Sequence, residues 1–142
     1  MKFEWKFMLM NHKKKSPVGA LIGIIDNQKL MAFYTKIGEF TDKLGEGYGI
    51  WTRNGFLYHG SAFTGQAFPY FEQYDVYNVK SITMTLDMTQ ENGILRYVIE
   101  QPGFEPADKE CDNTAWDDID IHKQYRMAVL FYGTTETFAL QR

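Results

Sequence analysis

The chain contains a single cysteine, Cys111, among 142 residues. One cysteine cannot form an intramolecular disulfide, so the sequence excludes a disulfide-stabilised fold and carries no sign of an oxidising compartment. Three dispersed histidines and this cysteine also fall short of the three or four closely spaced ligands that a zinc site needs. We therefore expect neither a bound metal nor any other cofactor.

Long hydrophobic segments are missing as well. The longest strongly apolar run covers residues 20–25, whereas a membrane-spanning helix needs about 20 such residues. Glu4 and Lys6 interrupt the N-terminal segment, which therefore lacks the apolar centre of a signal peptide. These absences predict a cytoplasmic or nuclear protein that carries no transmembrane segment.

A strong charge of one sign is also lacking. The sequence has 15 Lys and Arg against 18 Asp and Glu, a net charge of −3. Such a balance creates no global field for nucleic acid or an anionic membrane. The local run Lys13-Lys14-Lys15 is more typical of a solvated turn than of a phosphate site. We expect neither a nucleic-acid nor a membrane partner.

No catalytic motif stands out. His59-Gly60-Ser61 places a base near a hydroxyl but lacks the glycine-flanked elbow that exposes a nucleophile. Asp87 and Glu100 could form the carboxylate pair of a small hydrolase, yet their positions favour a turn cap and a strand end. The acidic residues of segment 112–120 do not match the twelve-residue calcium loop. The sequence predicts a non-enzymatic protein.

Aromatic residues are abundant, at 16% of the chain, which suits pleated sheets. In segment 80–100, Ile82, Met84, Leu86 and Met88 alternate with polar residues, the period of a strand with one buried face. Asn92-Gly93 follows and predicts a tight turn with positive φ angles. The chain then returns as a second strand, and we call this pair the central hairpin.

Short apolar segments separated by turns continue along the whole chain. Arg53-Asn54-Gly55 predicts a second hairpin turn. No segment shows helical periodicity, so we expect a single all-β domain over residues 1–142, an antiparallel sandwich or barrel. Outside the central hairpin, the expected strands are 3–9, 18–25, 30–37, 48–52, 56–59, 125–132 and 137–140, and the expected loops are 38–49, 61–77 and 101–120.

The central hairpin resembles the paired core strands of the SPRY (B30.2-like) domain, in its segments ITMTLDM and GILRYVI. Upstream, the segment GYGIW at 47–51 is similar to the family's glycine- and tryptophan-containing strand. Tyr74-Asp75-Val76 stands where the family has Gly-Asp-Val, and segments 125–132 and 137–140 resemble its closing strand pair. The resemblance covers residues 18–140. Glu100-Gln101-Pro102-Gly103 departs from the family's Asn-Gly, and no separate N-terminal segment is visible.

This resemblance implies a bent, concanavalin-like antiparallel β-sandwich that works as a protein-interaction module without catalysis. A protein or peptide ligand would bind loops at one end, here 52–60, 68–75 and part of 101–120. Such loops concentrate binding residues, and interfaces favour Tyr, Trp and Arg. The candidate partner-binding residues are Arg53, Tyr58, Tyr70, Phe71, Tyr74 and Trp116.

The sequence says less about the chemistry of the partner than about the residues that would bind it. The acidic segment 101–120 favours a basic partner and faster association at low salt. A carbohydrate-binding sandwich stays as the alternative, with Trp116 and Tyr70 as stacking rings and with calcium as an optional ligand. The partner's identity and the oligomeric state remain open at this stage.

Overall fold

The computed structural model describes residues 1–9, 19–26, 47–59, 62–106, 113–131 and 138–141. Several predictions from the sequence lie outside these residues, namely the strand at 30–37, most of the loop at 38–49, the lysine run at 13–15, and Cys111. No helix within the described ranges has the length and apolar character to cross a membrane.

The described residues form β-strands joined by turns and one short 3₁₀ turn, at Phe71–Gln73, with no α-helix among them. The expected all-β fold is confirmed in the part of the chain that the structure describes. The ten strands are β1 Lys2–Leu9, β2 Ala20–Asp26, β3 Tyr48–Trp51, β4 Phe56–His59, β5 Ala62–Ala67, β6 Ser81–Asp87, β7 Gly93–Glu100, β8 Thr114–Ile119, β9 Tyr125–Phe131 and β10 Phe138–Gln141.

The strands make two antiparallel five-stranded sheets, which is consistent with the expected sandwich. The first has the order β10-β1-β6-β7-β8, and the second β5-β4-β3-β2-β9. They belong to two compact units. Unit 1 comprises Met1–Val18, Pro69–Ile121 and Thr137–Arg142, and unit 2 comprises Gly19–Phe68 and His122–Glu136.

In unit 1 the alternation of the central hairpin sorts side chains onto two faces. Met84 lies opposite Trp5 on β1 and Tyr97 on β7. Directly opposed residues of antiparallel strands share a face, so these three point to the same side, where Met84 and Tyr97 are fully buried. The other face carries Thr83 and Val98, and Val98 is 49% exposed. The hydrophobic period thus produces one core face and one solvated face.

In unit 2 strand β2 is buried on both faces, as its continuously apolar sequence predicts. Gly23 of β2 lies opposite Gly49 of β3. A Cβ on Gly23 would overlap the carbonyl oxygen of Tyr48, and one on Gly49 would lie 2.8 Å from Cγ of Leu21. The glycine pair therefore allows the two strands to approach closely.

Two segments predicted as loops contain strands. β5 lies within 61–77 and β8 within 101–120. β5 carries small and polar residues with a glycine, Gly65, at φ 85°, so it shows no clear alternation. β8 carries two aspartates; among the described strands it stands at the end of its sheet, and its pairing with β7 has two irregularities. Charged residues and bulges are common on edge strands because they discourage further pairing.

Two further details of the prediction are wrong. Asn92-Gly93 does not form a tight turn, because β6 ends at Asp87 and Gly93 already belongs to β7 without a positive φ angle. The two closing segments do not pair with each other. β9 pairs with β2, whereas β10 pairs with β1 in the other sheet.

Candidate functional site

The site is built on the segment that follows Pro69, which we call the aromatic loop (residues 69–79). Tyr70 begins it with φ 61° and ψ 10°, in the left-handed region. It is the one described non-glycine residue with a positive φ. A bulky side chain is rarely found there, at a cost of about 1–3 kcal/mol that the surrounding structure must offset. Such strain clusters at functional sites.

The buried Phe71 ring supports the aromatic loop by packing in the protein interior. Phe71 is only 2% exposed, and its ring contacts that of Tyr74 with centroids 6.3 Å apart. The amide of Tyr74 donates to the carbonyl of Phe71 and so closes the 3₁₀ turn. Phe71 therefore lacks the exposed surface that a contact residue needs, and it supports the half-buried Tyr70 and Tyr74 instead.

Asp75 folds the second half of the loop. Its Oδ1 accepts a hydrogen bond from the amide of Tyr77 at 3.1 Å, and its Oδ2 accepts one from Nδ2 of Asn78 at 2.6 Å. The Asp75 carbonyl accepts from the Asn78 amide. An aspartate that bonds to the backbone two residues on makes a local turn. This turn leaves the Tyr77 side chain 43% exposed.

The loop rests against a second segment, the Gln101 turn (residues 101–104). The amide of Phe104 donates to the carbonyl of Gln101, and Gly103 has φ 74°. Pro followed by Gly at the centre of such a turn is the pattern of a type II turn. The departure from the SPRY pattern at 100–103 is therefore a well-defined turn.

Two contacts join the aromatic loop to the Gln101 turn. The amide of Asp75 donates to Oε1 of Gln101 at 2.8 Å. The rings of Tyr74 and Phe104 meet edge to face, with centroids 5.3 Å apart and planes at 72°. Together they hold the aromatic loop against the Gln101 turn, with the Tyr74 and Phe104 rings in contact.

A depression of about 560 Å³ opens beside these rings. Its lining residues are Glu100, Gln101, Pro102, Gly103, Phe104 and Glu105. Since Gln101 and Phe104 also contact the aromatic loop, the depression and the loop make up one site. We call it the aromatic-loop site.

Charges surround the aromatic-loop site. The Glu100 carboxylate lies 3.6 Å from Nζ of Lys80 and 4.0 Å from Nζ of Lys6. Glu100 was expected to end its strand, and it is the last residue of β7. Glu72, Asp75 and Glu105 are exposed.

Two of the predicted contact residues lie in unit 2. Arg53 occupies the β3–β4 turn, where Gly55 has φ 72° and its amide donates to the carbonyl of Trp51, so the predicted hairpin turn is confirmed. The Arg53 guanidinium carbon lies 6.0 Å from the centroid of the Trp51 ring. The Arg53 side chain is half-buried and packs against Gly19.

Tyr58 of β4 packs on a core cluster of Leu21, Ile25 and Trp51. Burial raises the pKa of the Tyr58 hydroxyl above its usual value of about 10. Its ring is half-buried, and it lies on a strand within the 52–60 segment. Tyr58 therefore serves the packing of unit 2.

Trp116 lies on a strand and not on the loop expected at 101–120. It is half-buried on β8 and faces Leu95 of β7, which is fully buried. Trp116 therefore extends the core face of unit 1, while its neighbours Asp117 and Asp118 are exposed.

Asp87, one of the two carboxylates of the hydrolase alternative, has a structural role at the end of β6. Oδ1 of Asp87 accepts hydrogen bonds from the amide and hydroxyl of Thr89, so Asp87 caps a turn as expected. These bonds, with Lys2 and Arg96 nearby, hold the pKa of Asp87 below its usual value. Within the ranges the structure describes, no group of three or more His, Cys, Asp or Glu residues could hold a metal ion.

Three site residues were missed from the sequence: Tyr77, Gln101 and Phe104. The Pro-Gly dipeptide signals the Gln101 turn, but nothing in the sequence pairs it with a loop 26 residues away. Of the predicted residues, Tyr70, Phe71 and Tyr74 come together at the aromatic loop. Trp116 lies on β8, and Arg53 and Tyr58 belong to unit 2.

No protein-family model matches the chain, and no curated protein matches it either. A functional assignment therefore depends on the geometry of the aromatic-loop site.

Proposed function

We propose that this chain is a non-enzymatic protein-interaction module that binds a peptide or protein surface through the aromatic-loop site. The observation that carries the proposal is that the aromatic loop has a strained backbone and is nevertheless held in place by tertiary contacts. Tyr70 has a left-handed backbone, and the loop is fixed by the Asp75–Gln101 hydrogen bond and the Tyr74–Phe104 contact. A loop ordered before binding loses less conformational entropy when its partner arrives.

The composition of the site suits protein recognition. Tyrosine offers a large apolar ring with a polar end and few rotatable bonds, so it dominates many interfaces. The exposed Tyr77 and the half-buried Tyr74 present such rings on the aromatic loop, and Tyr74 contacts Phe104 of the Gln101 turn. The resemblance of the central hairpin to the SPRY domain supports the same class of function. We also propose that the fold is a bent sandwich of the SPRY type. We further propose that the protein works in the cytoplasm or nucleus.

A displayed library of random twelve-residue peptides tests the proposal. Selection on the intact protein should yield peptides that bind with micromolar affinity and that lose at least about tenfold of it with Tyr77→Ser. The matched control is Val98→Thr, which alters an equally exposed apolar side chain on β7. Both variants should keep the thermal midpoint of the parent, because both side chains lie at the surface.

The possible results of this selection distinguish a protein-interaction module from other functions. Peptides that depend on Tyr77 but not on Val98 support the interaction module. A selection that yields no binder, or only binders indifferent to Tyr77→Ser, contradicts it. A glycan array run on the same proteins then examines the carbohydrate-binding alternative, since an aromatic ring beside carboxylates also suits sugars.

A further inference from the structure

The first half of β1 has a neighbouring strand on one side only, within the part of the chain that the structure describes. β6 pairs with β1 from Lys2 onward, whereas β10 pairs only with Lys6–Leu9. Exposure changes along the same strand, because Lys2, Phe3 and Glu4 are exposed and every later residue of β1 is half-buried or buried. Residues 2–4 therefore form an open strand edge, which we call the β1 edge.

The backbone groups that face this edge belong to the even-numbered residues. The amide of Met88 on the β6 side donates to the carbonyl of Met1 at 2.8 Å, so odd-numbered residues of β1 bond toward β6. Successive residues of a strand direct their N–H and C=O groups to alternate sides. Lys2 and Glu4 therefore direct theirs toward the β1 edge.

Apolar surface lies beside these backbone groups. Phe3 lies opposite the buried Leu86 on the core face of unit 1, yet the Phe3 side chain is 40% exposed. Its ring stacks with that of Trp5, with centroids 6.0 Å apart and planes at 14°. The core face thus continues to the β1 edge. An open edge with apolar side chains is a template for pairing with another chain.

Charge and backbone direction together select one pairing between two copies. With Phe3 opposite Phe3 in an antiparallel pair, Lys2 of each copy lies opposite Glu4 of the other, and both residues direct their backbone groups toward the partner. A shift of two residues places Lys2 opposite Lys2 or Glu4 opposite Glu4, and like charges directly opposed destabilise a sheet. Nζ of Lys2 lies 3.7 Å from Asp87, and an ammonium has three donors, so Lys2 can serve both carboxylates.

From this geometry we infer that two copies of the chain associate by antiparallel pairing of their β1 edges, about a two-fold axis at Phe3. The pairing extends the sheet of unit 1 across both copies and packs the two Phe3 rings together. A two-fold interface uses the same patch twice, so complementary charges within one short segment are what it requires. The inference does not depend on the proposed binding function of the aromatic-loop site.

Sedimentation velocity of the full chain tests the association. A pairing of three residues per copy is small, so it should be weak and reversible, and the sedimentation coefficient should rise between about 10 and 500 µM. Glu4→Lys places two lysines opposite each other twice and should weaken the dimer at least about tenfold, most strongly at low salt. Asp117→Lys is the matched control. It makes the same charge change at an exposed position of β8, three strands from β1 in the same sheet, and should associate like the parent.

A complementary variant tests the register. Lys2→Glu should weaken the dimer as Glu4→Lys does, and an equimolar mixture of the two variants should recover the parent's association, because opposite charges then face each other at both pairs. Thermal midpoints establish that each variant folds. If Lys2→Glu does not fold, Phe3→Cys in a Cys111→Ser background replaces it. Directly opposed residues lie about 4.5–5.5 Å apart at Cα, within disulfide reach, so oxidation should link the two copies. Lys6→Cys, opposite β10, should stay unlinked.

Each result decides the inference. Concentration-dependent association that Glu4→Lys weakens, Asp117→Lys retains and the mixture restores supports it, as does a disulfide specific to Phe3→Cys. A parent that sediments as a monomer up to 500 µM overturns it. Association that is indifferent to Glu4→Lys, or that falls equally with Asp117→Lys, also overturns it, as does a mixture of two folded variants that stays monomeric. The library selection judges the aromatic-loop site separately.

Discussion

The ring of Tyr74 meets the ring of Phe104 edge to face, with centroids 5.3 Å apart. The two residues lie 30 positions apart in the sequence, on either side of the central hairpin. Their contact joins the aromatic loop to the Gln101 turn next to the Asp75–Gln101 hydrogen bond. The aromatic-loop site is therefore a product of tertiary structure, with β6 and β7 as its support.

Removing one ring should loosen the loop. We expect Phe104→Ala to lower the free energy of unfolding by about 1 kcal/mol, the usual value of an aromatic pair, since Phe104 is only half-buried. Amide hydrogen exchange should speed up at Tyr74 and Tyr77. Phe104→Tyr retains the ring and is the control. Unchanged exchange in Phe104→Ala would mean that the contact does not order the loop.

The left-handed backbone of Tyr70 predicts an unusual order of substitutions. Asparagine tolerates this conformation, whereas a β-branched residue strongly resists it. We expect Tyr70→Val to be less stable than Tyr70→Asn by about 1–2 kcal/mol, measured by urea unfolding. Elsewhere in a β-rich chain valine is usually the better residue. Equal stabilities, or a more stable valine variant, would show that the loop does not impose the left-handed conformation.

Gly93 is required because of its neighbours and not because of a turn. A Cβ there would lie 2.9 Å from both Cβ of Ile119 and Sδ of Met88. Gly93→Ala should therefore destabilise the protein by about 1–3 kcal/mol in thermal or urea unfolding, as overpacking does. Asn92→Ala, at the exposed neighbouring position, should change stability by less than about 0.5 kcal/mol. A large loss of stability in Asn92→Ala would instead support the tight Asn-Gly turn that the sequence predicted.

The lowered pKa of Asp87 predicts that the protein loses stability in acid. The hydrogen bonds from Thr89, followed by Lys2 and Arg96, lower the pKa of its carboxyl in the folded state. A lowered folded pKa stabilises the fold above the unfolded pKa, about 3.9, and this contribution disappears as pH falls through the folded value.

Thr89→Val removes the hydroxyl donor and should reduce the fall in stability below pH 4. Urea midpoints measured from pH 6 to pH 2 check this prediction. Thr83→Val is the control, a threonine on the solvated face of β6 that lies next to neither Asp87 nor Arg96 in the strand pairing. An acid slope identical in the parent and Thr89→Val would contradict the role of this bond.

Much of the fold was accessible from the sequence because hydrophobic alternation is local. The period-two segments predicted β1, β6 and β7, and the continuous apolar run predicted β2. β5 and β8 were missed because edge strands carry small, polar or acidic residues. The pairing of β10 with β1 was also missed, since strand partners depend on contacts over the length of the chain.

The site was less predictable than the fold. The aromatic content of the loop marked Tyr70 and Tyr74, but burial of Phe71 depends on packing that composition does not show. The positions of Gln101 and Phe104 beside Asp75 and Tyr74 follow from the antiparallel return of β7. A single sequence shows no trace of that tertiary relationship.

The most direct measurement of the central claim is to map a selected peptide onto the protein by amide chemical shifts. The peptide is titrated into ¹⁵N-labelled parent and Tyr77→Ser proteins. We predict the largest shifts at residues 70–78 and 101–105, with saturation in the parent and at least about tenfold weaker binding in the variant. Shifts concentrated at the Arg53 turn or along β8, with Tyr77→Ser binding as tightly as the parent, would contradict binding through the aromatic loop.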